Sequence, residues 1–441
     1  MGFIQASMHL DRFRTSTPRF VAPLHGKVAI KVFLSFAMAY FISYAFRSIN
    51  AVIAPDLIRD LQINNAQLGL LSSAYFIGFG AMQIPLGIAL DRFGPKLTEI
   101  CLMLLAVLGA AIFASAENFY SLVIGRMLIG MGVSACLMAA FSGFRVWFGL
   151  EKQSQLASAM LVFGTSGALM TTWPVHLVLP YIGWRGVFFV MALLATAAIL
   201  GLYFGLPNRR DFHSENQMPE GAEPLHPTLS WESYRPILTS PYFWRIFPLG
   251  AVSYGGFIAI QTLWLGPWLI QVMNFSSVKS AQILLGFNAA LLAAYCVNTL
   301  ALPFLIRRGI SMLNYLSWMT GAAICFQFFA FFLRTPWVWV WWCLFAIASA
   351  SYVLAQSLIV TYFPKSLAGR VSTTYNLALF IGAFILQWGI GYLIEVGVQL
   401  GWSQASAFDL AFGLFLIVQI IGYIWFLTFP KYFSGNTISI E

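Results

Sequence analysis

The sequence predicts an all-α membrane protein of twelve transmembrane helices in two six-helix bundles. Three observations carry that expectation. Hydrophobic residues make up 60% of the chain and charged residues 9%, against about 25% charged in a typical soluble domain. A hydropathy window of roughly 19 residues finds twelve apolar stretches. One hydrophilic, proline-rich segment divides them six and six.

The first stretch, 28–55, follows a polar, basic tail over 1–27 and holds Arg47. That tail and the length of the stretch do not fit a cleavable signal peptide. The second, 65–90, ends in a charged, glycine-bearing turn, and the third, 97–116, starts just beyond it. The fourth, 119–148, holds Arg126. The fifth, 154–179, holds Gly164-Thr-Ser-Gly167 and His176, and the sixth is 184–206. Residues 207–241 carry Pro207, Pro219, Pro224, Pro227, Pro236 and Pro241, with charges from Arg209 to Arg235. This composition reads as a linker. The second set runs 242–272, 277–305, 311–333, 336–362, 369–397 and 405–429, before a tail over 430–441. The bundles are therefore 28–206 and 242–429. Each stretch can cross a hydrocarbon core of about 30 Å.

The basic residues orient the chain. With a cytoplasmic N-terminus, 18 of the 24 Lys and Arg fall on the cytoplasmic side and 4 on the other. Arg47 and Arg126 stay within the membrane. This bias puts both termini and the linker inside the cell. It also explains the net charge of +9 without a nucleic-acid partner. Cys101, Cys136, Cys296, Cys325 and Cys343 all fall in apolar stretches with no CxxC pair, and read as small core residues.

The turn after the second stretch reads Gly87-Ile-Ala-Leu-Asp91-Arg92-Phe-Gly94-Pro95-Lys96. Glycines allow close helix approach and a sharp turn. Asp91 can accept from free N–H groups at a helix start. This turn resembles the signature loop of the major facilitator superfamily, with Gly87, Asp91, Arg92, Gly94 and Lys96 matching. Pro95 replaces the usual basic residue. A decayed copy, Leu302-Pro303-Phe-Leu-Ile306-Arg307-Arg308-Gly309, follows the eighth stretch. The resemblance implies two bundles rocking about a central cavity. The Asp91–Lys96 turn would then brace the inward-closed state without touching substrate.

Arg47 shares a helix face with Tyr40, Tyr44 and Asn50 or Ala51. An arginine at the bilayer centre costs roughly 2.5–3.5 kcal/mol on insertion scales. It therefore needs a carboxylate, a phosphate, carbonyls or water. Anion capture in a cavity is one reading; snorkelling or backbone capping near the helix end is the other. Arg126 starts Arg126-Met-Leu-Ile-Gly130-Met-Gly132, which resembles the superfamily's fourth-helix motif. Bonds to another helix's carbonyls and contact with substrate are equally open for it.

The first 150 residues or so resemble the anion/cation symporter branch, through Arg47-Ser-Ile-Asn-Ala-Val-Ile-Ala-Pro55, Gln67-Leu-Gly-Leu-Leu-Ser-Ser73-Ala-Tyr75 and Gln83-Ile-Pro85-Leu-Gly87. That branch imports organic acids, often with protons. Two carboxylates that the resemblance implies are replaced here by Phe46 and Val133. Glu99, Glu117, Glu395 and Asp409 fall near span ends, with Glu99 expected in a charge network around Asp91 and Arg92. His176, the one histidine in a span, is a candidate for proton coupling. A hydrogen-bonded helix histidine is the plainer alternative.

The second half carries polar stripes: Tyr254, Gln261, Trp264, Trp268 and Gln271; Asn288, Tyr295 and Thr299; Tyr352 and Gln356; Asn376 and Gln387. They suit either a cavity or interhelical bonding. Trp337, Trp339, Trp341 and Trp342 read as an interfacial belt. No nucleotide-binding loop, catalytic triad or metal-ligand pattern is evident in the sequence, so neither an enzyme nor a cofactor is expected.

The combined expectation is a secondary transporter for a small organic anion in a plasma (bacterial inner) membrane. It would work as a monomer, with a small-molecule substrate and a candidate co-transported ion. Arg47 is the first choice for substrate binding and Arg126 the second, followed by Tyr44, Gln261 and Asn288. Passage of a neutral or cationic amphiphile is the alternative. A membrane-embedded enzyme or non-transporting sensor is an alternative of another class.

Overall fold

Apolar backbone in a bilayer must satisfy its own N–H and C=O groups, which favours helices. The computed structural model describes residues 26–149, 152–207, 234–364 and 367–429, and all its regular elements are helical. The tails up to 25 and from 430, and linker residues 208–233, lie outside the described residues. So do Arg12, Arg14, Arg19, Arg209, Arg210, Lys365 and Lys431 of the charge count.

Among the described residues, ten helices are long and apolar enough to cross a membrane. Two of them, Gln83–Ala114 and Trp173–Gly205, bend sharply at Gly94 (φ 76°) and Gly183 (φ 64°). A left-handed φ is cheap only for glycine, so each bend closes one span and opens the next. Asn65–Ala81 and Gln153–Met170 supply the front parts of the two spans that end there, which makes twelve.

The first half is numbered as follows. α1 is Gly26–Ser48 with Asn50–Leu61, and α2 is Asn65–Ala81 with the stretch up to Gly94. α3 runs from Gly94 to Ala114, and α4 is Phe119–Val133 with Cys136–Trp147. α5 is Gln153–Met170 with the stretch up to Gly183, and α6 runs from there to Gly205. The second half holds α7 (Pro241–Gln271), α8 (Ser277–Arg307), α9 (Met312–Phe332), α10 (Val338–Tyr362), α11 (Ala368–Gln399) and α12 (Gln404–Thr428).

Leu206 and Arg235 flank the linker and define the linker face; the opposite end is the far face. The halves meet through α2 against α11, α5 against α8, and the far part of α1 against α7. Toward the linker face the packing of α2 on α11 thins out, and a methyl on Gly87 of α2 would meet nothing within 4 Å. The halves are thus closed at the far face and diverge toward the linker.

The far seal is built on bare backbone. A methyl on Gly391 would stand 2.5 Å from the Asn65 carbonyl oxygen, and one on Gly69 3.0 Å from that of Gln387. A methyl on Gly266 would overlap the Ala51 carbonyl. That carbonyl is exposed because Pro55, four residues on, has no N–H to give it. Among the described residues, only Asn65 and Glu395 share hydrogen bonds across the halves.

Three expectations are corrected. Cys101, Cys296 and Cys325 are exposed on the outer surface and are not core residues. Hydropathy does not separate them, because lipid-facing and core positions are equally apolar. Trp342 is fully buried against Trp268 and is no part of a belt, whereas Trp337 is exposed. Glu99 makes no ion pair with Arg92 among the described residues; it is fully buried, facing the Cys136 thiol. Gly94 turns α3 so that the residue five positions on points into the bundle.

Candidate substrate site between the two halves

The site begins with a break in α1. Gly26–Ser48 ends and Asn50–Leu61 begins across Ile49. A helix end leaves carbonyls without intrahelical donors. Arg126, 1% exposed, supplies the donors. Its Nη1 donates to the Phe46 carbonyl at 2.7 Å and its Nη2 to the Arg47 carbonyl at 3.3 Å. Two glycines bring Arg126 within reach. A methyl on Gly78 of α2 would overlap the Met127 carbonyl, and one on Gly130 of α4 the Tyr75 carbonyl. α2 and α4 therefore cross backbone to backbone, with the Tyr75 ring at 5.3 Å from the Arg126 guanidinium carbon.

Arg47 stands one layer above, at the junction of the halves. Its guanidinium carbon is 4.6 Å from the Tyr44 ring centroid and 5.7 Å from that of Phe79. Phe380 of α11 completes the enclosure at 5.8 Å and Tyr75 at 6.0 Å. Arg47 is 9% exposed, and its Nε has no hydrogen-bond partner. Among the described residues no carboxylate pairs with it. Aromatic faces attract a cation through their quadrupoles, by about 0.5–2 kcal/mol each. A ring face holds the guanidinium without occupying its fork of N–H donors, and the Tyr75 hydroxyl lies near that fork.

Phenols surround this cation from both sides. Tyr40 packs edge-on against Tyr44, with centroids 5.0 Å apart. Tyr254 of α7 and Tyr295 of α8 adjoin each other and lie within electrostatic reach of Tyr44 and Arg47. α7 is irregular there: Leu249–Tyr254 and Ile260–Trp264 form π-helical turns. Such turns widen a helix and re-aim its side chains.

The structure thus brings Arg47 and Tyr44 together and sets Arg126 beneath them, its two outer nitrogens on backbone. Gln261 and Asn288 are tied to each other instead. Gln261 donates to the Asn288 oxygen at 2.9 Å, and Asn288 donates to the Leu284 carbonyl at 2.9 Å. They bind α7 to α8. His176 stacks on Trp173 in α5, half-buried, with no side-chain hydrogen bond among the described residues. Sequence reading passed over Tyr75, Phe79 and Phe380 as site residues. Their signal was the i, i+4 spacing of Tyr75 and Phe79 on a glycine-rich helix; Phe380 carried none.

The signature turn lies apart, at the linker face. Asp91 is exposed, and Arg92 lies over the Phe93 ring. Lys96 donates to the Leu206 carbonyl at 2.7 Å, fastening the turn to the end of α6. Thr98 donates to the Ala89 carbonyl at 3.0 Å, bracing the turn from within. A methyl on Gly87 would meet nothing within 4 Å, so α11 does not press on it here.

Two helical bundles closed over a central guanidinium define a multi-pass membrane protein of the transporter fold. The chain belongs to the Major Facilitator Superfamily, whose model matches residues 36–387. It is similar to a probable sulfoacetate transporter of Cupriavidus necator, 28% identical over 177 residues. It is similar to a hexuronate transporter of Bacillus subtilis, 36% identical over 109 residues. These matches cover 40% and 25% of this chain, and 41% and 26% of the relatives' own lengths. In fold it matches a bacterial homologue of the human lysosomal transporter Spinster, solved inward-facing and unoccupied, with TM-score 0.74 at 17% identity. That match covers 92% of this chain and 98% of the other.

Proposed function

We propose that the chain is a secondary transporter for small organic anions, working by alternating access, with Arg47 as the anion anchor. One observation carries this reading: Arg47 is enclosed between the halves with no carboxylate to neutralise it among the described residues. A buried charge is tolerated when something compensates it. A substrate carboxylate or sulfonate would do so through two parallel N–H bonds. The sulfoacetate and hexuronate relatives carry anionic substrates in their names, which supports the same class.

Arg126 serves this site as the support of the α1 break, with its bonds spent on backbone. Tyr44 orients Arg47. Gln261 and Asn288 hold the α7–α8 wall. The linker divides two bundles, 28–206 and 242–429. The charge bias of 18 to 4 puts the linker face in the cytoplasm, so the far face is outside a bacterial inner membrane. The partners are a small-molecule substrate, a co-transported ion and the bilayer, and the working unit is a monomer. His176 remains a candidate for handling that ion when it is a proton.

Replacing Arg47 by alanine tests the reading. Anion flux into proteoliposomes should vanish at normal expression and folding. Unchanged anion flux would make Arg47 structural and favour a neutral or cationic substrate.

A further inference from the structure

We infer that Glu395 is the clasp of the far gate, and that a proton arriving from the far side releases it. Glu395 sits near the far end of α11, half-buried. Its Oε2 accepts from the backbone N–H of Asn65 at 3.2 Å and from the Asn65 amide nitrogen at 3.4 Å. Its Oε1 accepts from Gln399 at 3.3 Å. Two residues supply three donors, the pattern an ionised carboxylate satisfies fully; a protonated one turns an O–H donor toward one of them and accepts from the rest only as a weaker, neutral group. Asn65 is the first residue after the Asn64 cap, so its N–H has no partner within α2. A negative charge is favoured at that helix end.

These are the only hydrogen bonds between the halves among the described residues. The rest of the far seal is glycine against backbone and aromatic rings, which hold no titratable proton at this depth. The clasp is therefore the part of the gate that can sense pH. Among the described residues, the nearby carboxylates are each paired with an arginine and none of them bridges the halves. The first turns of α2 carry no ionisable side chain, and neither does the end of α7 from Leu265 to Gln271. At the start of α12, Asp409 is paired with Arg334. On the neighbouring end of α1, Asp56 and Asp60 are both paired with Arg59.

A proton on Glu395 turns a charge-assisted pair of bonds into at most a neutral one, which shifts the open-to-closed ratio about tenfold. In the far-closed state the carboxyl exchanges with far-side water and not with the linker side. The proton therefore acts as an effector of gate opening, not as cargo carried through. Acid on the far side would open the chain for loading, whichever solute it carries.

The test uses spin labels on the full chain in nanodiscs, with the five native cysteines replaced by alanine. Labels go at Gln62→Cys and Leu400→Cys, two exposed positions beyond the far ends of α1 and α11. In the parent, acidification should raise the long-distance population severalfold. E395Q should already show that population at neutral pH and stay flat with pH, while E395D keeps the response. Should E395Q fail to fold, Asn65→Ala, which removes the 3.4 Å bond, should raise the long-distance fraction at neutral pH. A parent without a pH response, or an E395Q or Asn65→Ala chain that behaves as the parent does, would overturn the inference. The measurement needs no substrate, so it stands or falls apart from the anion reading.

Discussion

The Arg47 guanidinium rests on the face of Tyr44, 4.6 Å from its centroid, one turn away on the same helix. A residue three positions before the arginine presents its ring to the side chain that follows. The cation is thereby held over an aromatic ring, at a place where its N–H fork can meet a planar anion.

That geometry separates two conservative-looking substitutions. Arg47→Lys keeps the charge but loses the planar fork. Losing one charge-assisted hydrogen bond costs about 1.5–3 kcal/mol, so anion affinity should fall about tenfold to a hundredfold. Tyr44→Phe keeps the aromatic face and should cost much less. Isothermal titration of both variants with the transported anion checks the order.

Arg126 behaves differently. Removing it strips donors from the Phe46 and Arg47 carbonyls at the α1 break. Arg126→Ala should cost roughly 3–6 kcal/mol of stability, from two bonds to a charged donor. A thermal scan in detergent should show a clearly lowered midpoint. Near-native stability with lost anion binding would instead make Arg126 a substrate contact.

Gly266 lies where the two halves touch at the far face. Any side chain there meets the Ala51 carbonyl. Gly266→Val should hold the far face apart and trap the chain open to that side. A membrane-impermeant thiol reagent should then label Ser72→Cys, now buried beside Asn50. Labelling equal to the parent would mean that the seal tolerates the added bulk.

Asp91 contributes little to the state described here, being exposed at the linker face. In the proposed alternating-access cycle its role falls in the state in which α2 and α11 close there. Asp91→Asn should leave anion binding and thermal stability within about 0.5 kcal/mol, as for an ordinary surface change. Its flux should drop severalfold, read from proteoliposome counterflow. Loss of binding and stability together would place Asp91 in the fold instead.

Much of this architecture is legible in the chain. Span number, the central division and the sharp Asp91–Lys96 turn follow from hydropathy, proline content and glycine placement. Arg47 stands out because a charge in an apolar run needs a reason. The enclosure around it does not stand out. Phe79 and Phe380 are two among 41 phenylalanines, and only the α2–α11 contact brings them to one guanidinium. The pairing of Gln261 with Asn288 is equally hidden, since a polar stripe looks the same whether it faces a cavity or another helix. Glu395 looks like an end-of-span acid until α2 is seen to start beside it. The break at Ile49 carries no glycine or proline of its own, so the sequence leaves open which carbonyls Arg126 would serve.

Anion capture by Arg47 is tested most directly by thermal unfolding of the detergent-purified chain against carboxylates, sulfonates, phosphates, sugars and lipophilic cations. A ligand at 100 times its dissociation constant adds about 2.7 kcal/mol to the native state. Stabilisation confined to one class of small anions, and lost in Arg47→Ala, is the predicted result. Stabilisation by neutral or cationic compounds alone, or by anions equally in both chains, would contradict it.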